Sequence, residues 1–233
     1  MKKMILMMLL LVSVSANAQK DVTKFLGIPV DGYKTEMKQK LIEKGFTYNA
    51  QYDNFEGEFN GQDVNVSIVT NNNKIWRIVI RDVNPCGEGD IKIRFNNLCS
   101  QFARNKNYIS ASLSGKEYEI SENEDISYEI LVNNKRYEAS YYQIPNTEDI
   151  DTIAIQKTIN EELLQKYTQA QIDNPTEKQA EDILRLLEEK KYKMMFDMLS
   201  KKSVWFMIRE FYGKYLIVMY YDNEYNHANG EDL

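Results

Sequence analysis

A single histidine and two cysteines are all the soft metal ligands among these 233 residues. A structural zinc site takes four such ligands at short spacings, so the composition argues against one. A basic surplus is also missing. Lys and Arg total 29 against 35 Asp and Glu, a formal charge of −6. Nucleic acid and anionic membrane surfaces both demand basic patches, and none is visible along the chain. The motifs of familiar chemistry are absent too: no serine sits in a G-x-S-x-G elbow, and there is no Gly-rich phosphate loop or H-E-x-x-H. The one histidine, His227, lies in the polar stretch DNEYNHANGEDL, where it reads as a solvated residue. That stretch is rich in oxygen ligands but fails the EF-hand spacing, with His227 at the glycine position and Leu233 at the last. Glu56 and Glu58 fall on the outward face of a predicted strand, and Glu122, Glu124 and Asp125 in a turn, positions that are ordinarily solvated. No catalytic residue, cofactor or metal is assigned.

What is present begins with a targeting segment. Lys2 and Lys3 precede an apolar run from Met4 to Val14, and Ala16-Asn17-Ala18 supplies small residues for cleavage before Gln19. The run is too short for a comfortable membrane span. Residues 1–18 therefore read as a signal peptide cleaved after Ala18, and the chain as periplasmic or secreted. Losing two lysines takes the charge from −6 to −8. Without further long apolar runs, the mature chain has no expected transmembrane segment.

The rest is organised around residues 25–82. Met37, Leu41 and Ile42 fit the stripe of an amphipathic helix, with Asp31 as a candidate cap, Glu36 in the first turn and Lys44-Gly45 at the end. Three alternating strands follow. Phe55, Gly57 and Phe59 share one face, then Val64, Val66 and Ile68, then Trp76, Ile78 and Ile80, with Arg77 and Arg81 pointing the other way. Asn60-Gly61 and Asn71 to Asn73 mark the turns. Alternation of this kind specifies an antiparallel meander with one face covered by the helix.

A second helix spans about residues 90–104, with Ile91, Phe95, Leu98, Cys99 and Phe102 on one stripe. In an exported chain two cysteines are most simply a disulfide, so a Cys86–Cys99 bridge is expected; the alternative is Cys99 as a small core residue with Cys86 free. Strands at 118–120, 126–132 and 137–144 then repeat the helix-plus-meander plan. Helices follow at 149–172 and 175–199. The latter has Asn174 as cap, Pro175 at its first position, Ala180, Ile183, Leu184 and Leu187 on its buried face, and a kink at Lys190-Lys191 before Met194, Met195 and Met198. A hairpin of residues 204–210 and 214–221 turns at Tyr212-Gly213; both strands are apolar on both faces, which places them mid-sheet. The fold class is thus α+β: repeated units of a helix and a three-stranded antiparallel meander (19–84 and 85–146), then a helical segment and C-terminal β-hairpin (147–233), in one or two domains.

The stretch KFLGIPVDGYKTEMKQKLIEKGF, the pattern FEGEFNG…VNVSIVTNNNKIWRI and the closing YYDNEYN…ANGEDL resemble a group of uncharacterised exported bacterial proteins. The repeated helix-plus-meander plan resembles, in architecture only, the beta-lactamase inhibitor protein and the small outer-membrane assembly lipoproteins sharing its module; the lipoprotein cysteine is absent. Architecture transfers no function. With sixteen tyrosines, which offer rigid faces and polar tips, the leading expectation is a non-catalytic binding protein contacting a protein or envelope component. Trp76, Arg77, Arg81, Tyr128, Tyr137 and Tyr141 are its candidate contact residues. The alternatives are a structural or assembly factor of the cell envelope and a hydrolase of unrecognised type.

Overall fold

The computed structural model describes residues 21–112, 118–146 and 152–228. The expected signal peptide at residues 1–18, residues 149–151 of the expected helix and the residues from 229 on lie outside them. The described residues form the helices α1 (Lys34–Glu43), α2 (Glu88–Arg104), α3 (Ile126–Leu131), α4 (Thr152–Lys166), α5 (Gln169–Asp173) and α6 (Glu177–Ser200). The strands are β1 (Lys24–Phe25), β2 (Ile28–Pro29), β3 (Thr47–Asn49), β4 (Asn54–Phe59), β5 (Gln62–Asn71), β6 (Lys74–Asp82), β7 (Tyr108–Ser110), β8 (Glu138–Gln143), β9 (Ser203–Phe211) and β10 (Lys214–Asp222). The class is α+β with antiparallel sheets, as the alternation dictates: β1 and β2 form a small hairpin, and the other eight strands form one sheet in the order β3-β4-β5-β6-β10-β9-β8-β7.

Two compact units are resolved by contact density. One, Val22–Ile144 with Leu199–Leu233, contains the whole sheet; the other includes Pro145–Met198. In the sheet unit, the C-terminal hairpin sits between β6 and β8, where its two-sided apolar strands are expected. The two edge strands, β3 and β7, are three residues each, and short edges limit pairing with other chains.

Local chemistry explains most boundaries. α1 ends in a Schellman motif, with the Gly45 N–H donating to the Ile42 carbonyl (2.9 Å) and the Phe46 N–H to that of Leu41 (3.1 Å). Gly45 takes φ +97°. Phe46 then folds onto β4, where Gly57 leaves it room: a Cβ there would lie 2.6 Å from the Phe46 ring. Asp31 does not cap α1, whose N-cap is Tyr33 without a side-chain bond; Asp31 instead accepts from the Asn226 side-chain amide (2.8 Å). Ile42 is exposed, while Met37 and Leu41 are buried as the stripe requires.

The second meander is not formed. Residues 118–120 are not a strand, and 126–131 are α3. Asp125 accepts the Tyr128 N–H (2.8 Å) and caps a helical turn that buries Ile126 and packs Ile130 against the core. Apolar residues four apart satisfy a helix as well as a strand, and the cap decides the outcome. In the other unit, α6 is capped by Thr176 rather than Asn174: the Gln179 N–H reaches the Thr176 Oγ1 (3.4 Å), and the Thr176 N–H reaches the Gln179 Oε1 (2.9 Å). The helix runs unbroken through Lys190-Lys191. Its Ile183 is buried and Leu184 exposed.

The core lies between the sheet and helices α1 and α2. Its aromatic centre is Phe206 on β9, edge-on to Phe95 (5.2 Å between centroids) and stacked with Phe102 (5.6 Å) and Tyr141 (6.1 Å). Ala139 stands directly across from Phe206 on β8, a small residue opposite a large ring.

Both cysteines are free thiols, so the expected bridge is not made. Cys86 is tied by its backbone to Tyr215, its N–H donating at 2.8 Å and its carbonyl accepting at 3.0 Å. Cys99 faces inward with the buried stripe of α2. Burial pushes the Cys99 thiol up to about 11 and raises that of Cys86 as well, and thiols held protonated are poor nucleophiles. We therefore expect Cys99 to resist a maleimide probe at mildly alkaline pH in the native protein and both cysteines to label fully in denaturant without reductant. Labelling in denaturant only after reduction would show a bridge instead.

Candidate functional site

Strict alternation along β6 would put Trp76 beside Ile78 and Ile80, inside. The β5–β6 register breaks that pattern. Arg77 pairs with Val69 and Ile75 with Thr70, so Trp76 is an extra residue in β6, a β-bulge. Ile75 is thereby turned into the core with Ile78, both fully buried, and Trp76 is released toward the opposite face. The bulge is held from the C-terminal end of the chain. The Asn223 N–H donates to the Trp76 carbonyl (2.7 Å), and the Asn226 amide donates to that of Ile75 (2.7 Å). Asn223 is itself anchored to the Val30 carbonyl (2.7 Å).

The face that receives Trp76 carries an aromatic ladder around one cation. Asp222, Tyr220 and Trp205 share it with Arg77, because Asp222 pairs with Arg77 on β6 and Tyr220 with Trp205 on β9. The guanidinium carbon of Arg77 lies 4.1 Å from the Trp76 ring, 4.9 Å from Tyr220 and 5.4 Å from Trp205. Trp205 and Tyr220 stack at 3.9 Å. Arg77 grips Asp222 through Nε (2.5 Å) and Nη2 (2.7 Å), and the Trp205 indole N–H donates to the same carboxylate at 2.9 Å. His227 sits edge-on to Trp76 at 4.8 Å and is exposed. The cation is thus neutralised by a bidentate carboxylate and lies against all three rings. What the arrangement offers outward is a rigid, partly exposed indole surface with a polar rim.

Of the six residues singled out from sequence, the structure brings Trp76 and Arg77 together. Arg81 shares their face farther along β6, where it stacks on Phe211 (5.3 Å). Tyr128 is on α3 rather than a strand and is 53% exposed. Tyr137 and Tyr141 are buried and are core, not contact surface. Tyr137 donates to Glu124, and burial together with that carboxylate pushes its phenol well above the ordinary range. Tyr141 reaches the Cys99 carbonyl at 3.5 Å and is raised by burial. Sequence reasoning missed Trp205, Tyr220 and Asp222. Their only signal is the register of a hairpin with a strand over a hundred residues earlier.

Three of the five carboxylates weighed for catalysis have structural work, and the other two, Glu58 and Glu122, are exposed. Glu56 accepts from Asn49 (2.6 Å), Glu124 is paired with Lys135 and Tyr137, and Asp125 caps α3. A shallow depression of about 680 Å³ in the helical unit is lined by Tyr167, Lys178, Asp182 and Arg185. Asp182 there is held well below the usual carboxylate range, chiefly by the hydrogen bond from Lys166 (2.6 Å). Among the described residues no three His, Cys, Asp or Glu side chains converge as a metal site. Among the described residues, too, no helix is long and apolar enough to cross a membrane. No family model, curated protein or solved structure matches the chain.

Proposed function

We propose that this chain is an exported, non-catalytic binding protein that uses the face around Trp76 to contact another protein or a component of the cell envelope. The observation that carries the reading is the bulge. It takes the one indole on β6 away from the core face and sets it on a braced ladder of Arg77, Trp205 and Tyr220. Trp, Tyr and Arg are the residues that dominate interface energetics. A ring already held by its neighbours has little rotamer freedom to lose on binding.

The test is capture from envelope extract with the mature chain, residues 19–233, compared with its Trp76→Ala variant. Truncating a central anchor costs about 2 kcal/mol or more, so the variant should bind its partner roughly thirtyfold more weakly or worse. Its thermal midpoint should shift little, because the indole is only partly buried. Capture that is indifferent to Trp76→Ala, or no capture at all, would reject this reading.

A further inference from the structure

Four two-residue turns among the described residues have positive φ at both positions, the geometry of type I′ hairpins: Leu26-Gly27, Asn60-Gly61, Asn72-Asn73 and Tyr212-Gly213. Asparagine suits the first position because its short polar side chain tolerates the left-handed region; tyrosine does not. Yet Tyr212 adopts φ +52° with 91% of its surface exposed. Among the described residues, only an edge-on contact with Phe211 at 4.8 Å, itself 42% exposed, engages the ring. The fold thus holds an unfavourable backbone in order to project an aromatic side chain into solvent.

The surroundings of that ring are basic. Phe211 pairs with Lys214, Arg209 with Leu216, and Val218 with Arg81. Directly paired residues share a face and alternate residues return to it, so Arg81, Arg209, Phe211 and Lys214 lie on one face at the hairpin tip. All three cations are exposed, and none belongs to an ion pair among the described residues. Of the carboxylates nearby, Glu210 accepts the Gly213 N–H at 2.6 Å, and Glu138, across from Met207 on the same face as Arg81 and Arg209, is already paired with Arg136 at 2.8 Å. A basic patch therefore exists after all, assembled from residues 81, 209 and 214.

We propose that the β9–β10 tip docks peripherally on an anionic phospholipid surface, Phe211 and Tyr212 entering the headgroup layer and Arg81, Arg209 and Lys214 meeting its phosphates. Tyr212 stands out from the turn rather than lining a cleft, which suits a surface rather than a small ligand, and aromatic rings prefer the headgroup level. Residues 19–233 carry −8, so attachment to an anionic surface has to come from a local concentration of cations such as this one. Three cations and two rings make the attachment reversible. This goes beyond the binding reading above and does not depend on Trp76.

The experiment is co-sedimentation of residues 19–233 with vesicles of equimolar phosphatidylglycerol and phosphatidylcholine, against phosphatidylcholine alone. Retention is expected on the anionic vesicles only, with release at molar salt. The triple variant Arg81→Ser/Arg209→Ser/Lys214→Ser should bind about a hundredfold more weakly. Tyr212→Asn should also lose retention while raising the thermal midpoint, since asparagine fits the turn, so its loss cannot be misfolding. Trp76→Ala should pellet like the parent chain. No retention on anionic vesicles overturns the proposal and leaves an acidic protein surface as the occupant of the tip. Equal retention on both lipids, or retention unchanged in the tip variants, overturns it as well.

Discussion

Phe206→Ala is expected to cost about 3–5 kcal/mol, the largest effect of any single substitution considered for this chain. The side chain is fully buried and lies among Phe95, Phe102 and Tyr141, each within 6.1 Å between centroids. Truncation forfeits the transfer free energy of the ring and leaves a cavity that its neighbours cannot close. Two of them are fixed along the stripe of α2, and the residue directly across on β8 is already an alanine. A domain of this size has a stability of about 5–15 kcal/mol, so the variant should unfold at much lower urea concentration with an unchanged m-value. Its thermal midpoint should fall by roughly 10 °C or more. Phe206→Leu keeps most of the volume and should cost less than half as much. A loss under about 1 kcal/mol for the alanine variant would mean that this cluster is not the centre of the core.

The elements that were legible in the sequence are those whose signals are local and agree with one another. Gly45 after Lys44 with Phe46 behind it writes a Schellman motif, and Asn60-Gly61 writes a type I′ turn. The two-sided apolar strands of the hairpin write a central position, which β9 and β10 occupy. Where two periods fit one short segment, the reading fails. Ile126 and Ile130 are four residues apart, Tyr128 lies between them, and only the Asp125 side chain, capping the turn, selects helix over strand.

The candidate site was legible by half, and for a different reason. Trp76 and Arg77 stand out along β6, but alternation assigns them to opposite faces. The bulge that unites them is imposed by Asn223 and Asn226, about 150 residues later, so no window around Trp76 contains its cause. The same holds for Trp205, Tyr220 and Asp222. Each sits in a strand that reads as core or terminus, and becomes part of a cluster only through the β6–β10–β9 register. The basic tip is a third instance. Its cations are dispersed in a chain with an acidic surplus, and the fold concentrates them.

Asp222→Ala is the second large effect, expected to cost about 3 kcal/mol. Its carboxylate is 3% exposed and takes three hydrogen bonds, two from Arg77 and one from the Trp205 indole. Removing one partner of a buried pair leaves the other charge uncompensated, at about 3–5 kcal/mol. The Arg77 side chain retains 22% exposure, so water recovers part of its solvation and the loss falls at the lower end. Arg77→Met should cost at least as much, because it strands a buried carboxylate with the indole N–H alone. The double variant Arg77→Met/Asp222→Leu removes both charges and keeps apolar volume between the rings. It should be more stable than the sum of the single losses by roughly 2–3 kcal/mol, a coupling that urea unfolding of the four proteins measures directly. The two single variants should also alter the near-ultraviolet circular dichroism of the stacked Trp205 and Tyr220, whose geometry the carboxylate fixes. Additive losses with unchanged dichroism would show that the ladder stands by ring packing alone, with the ion pair a solvated bystander.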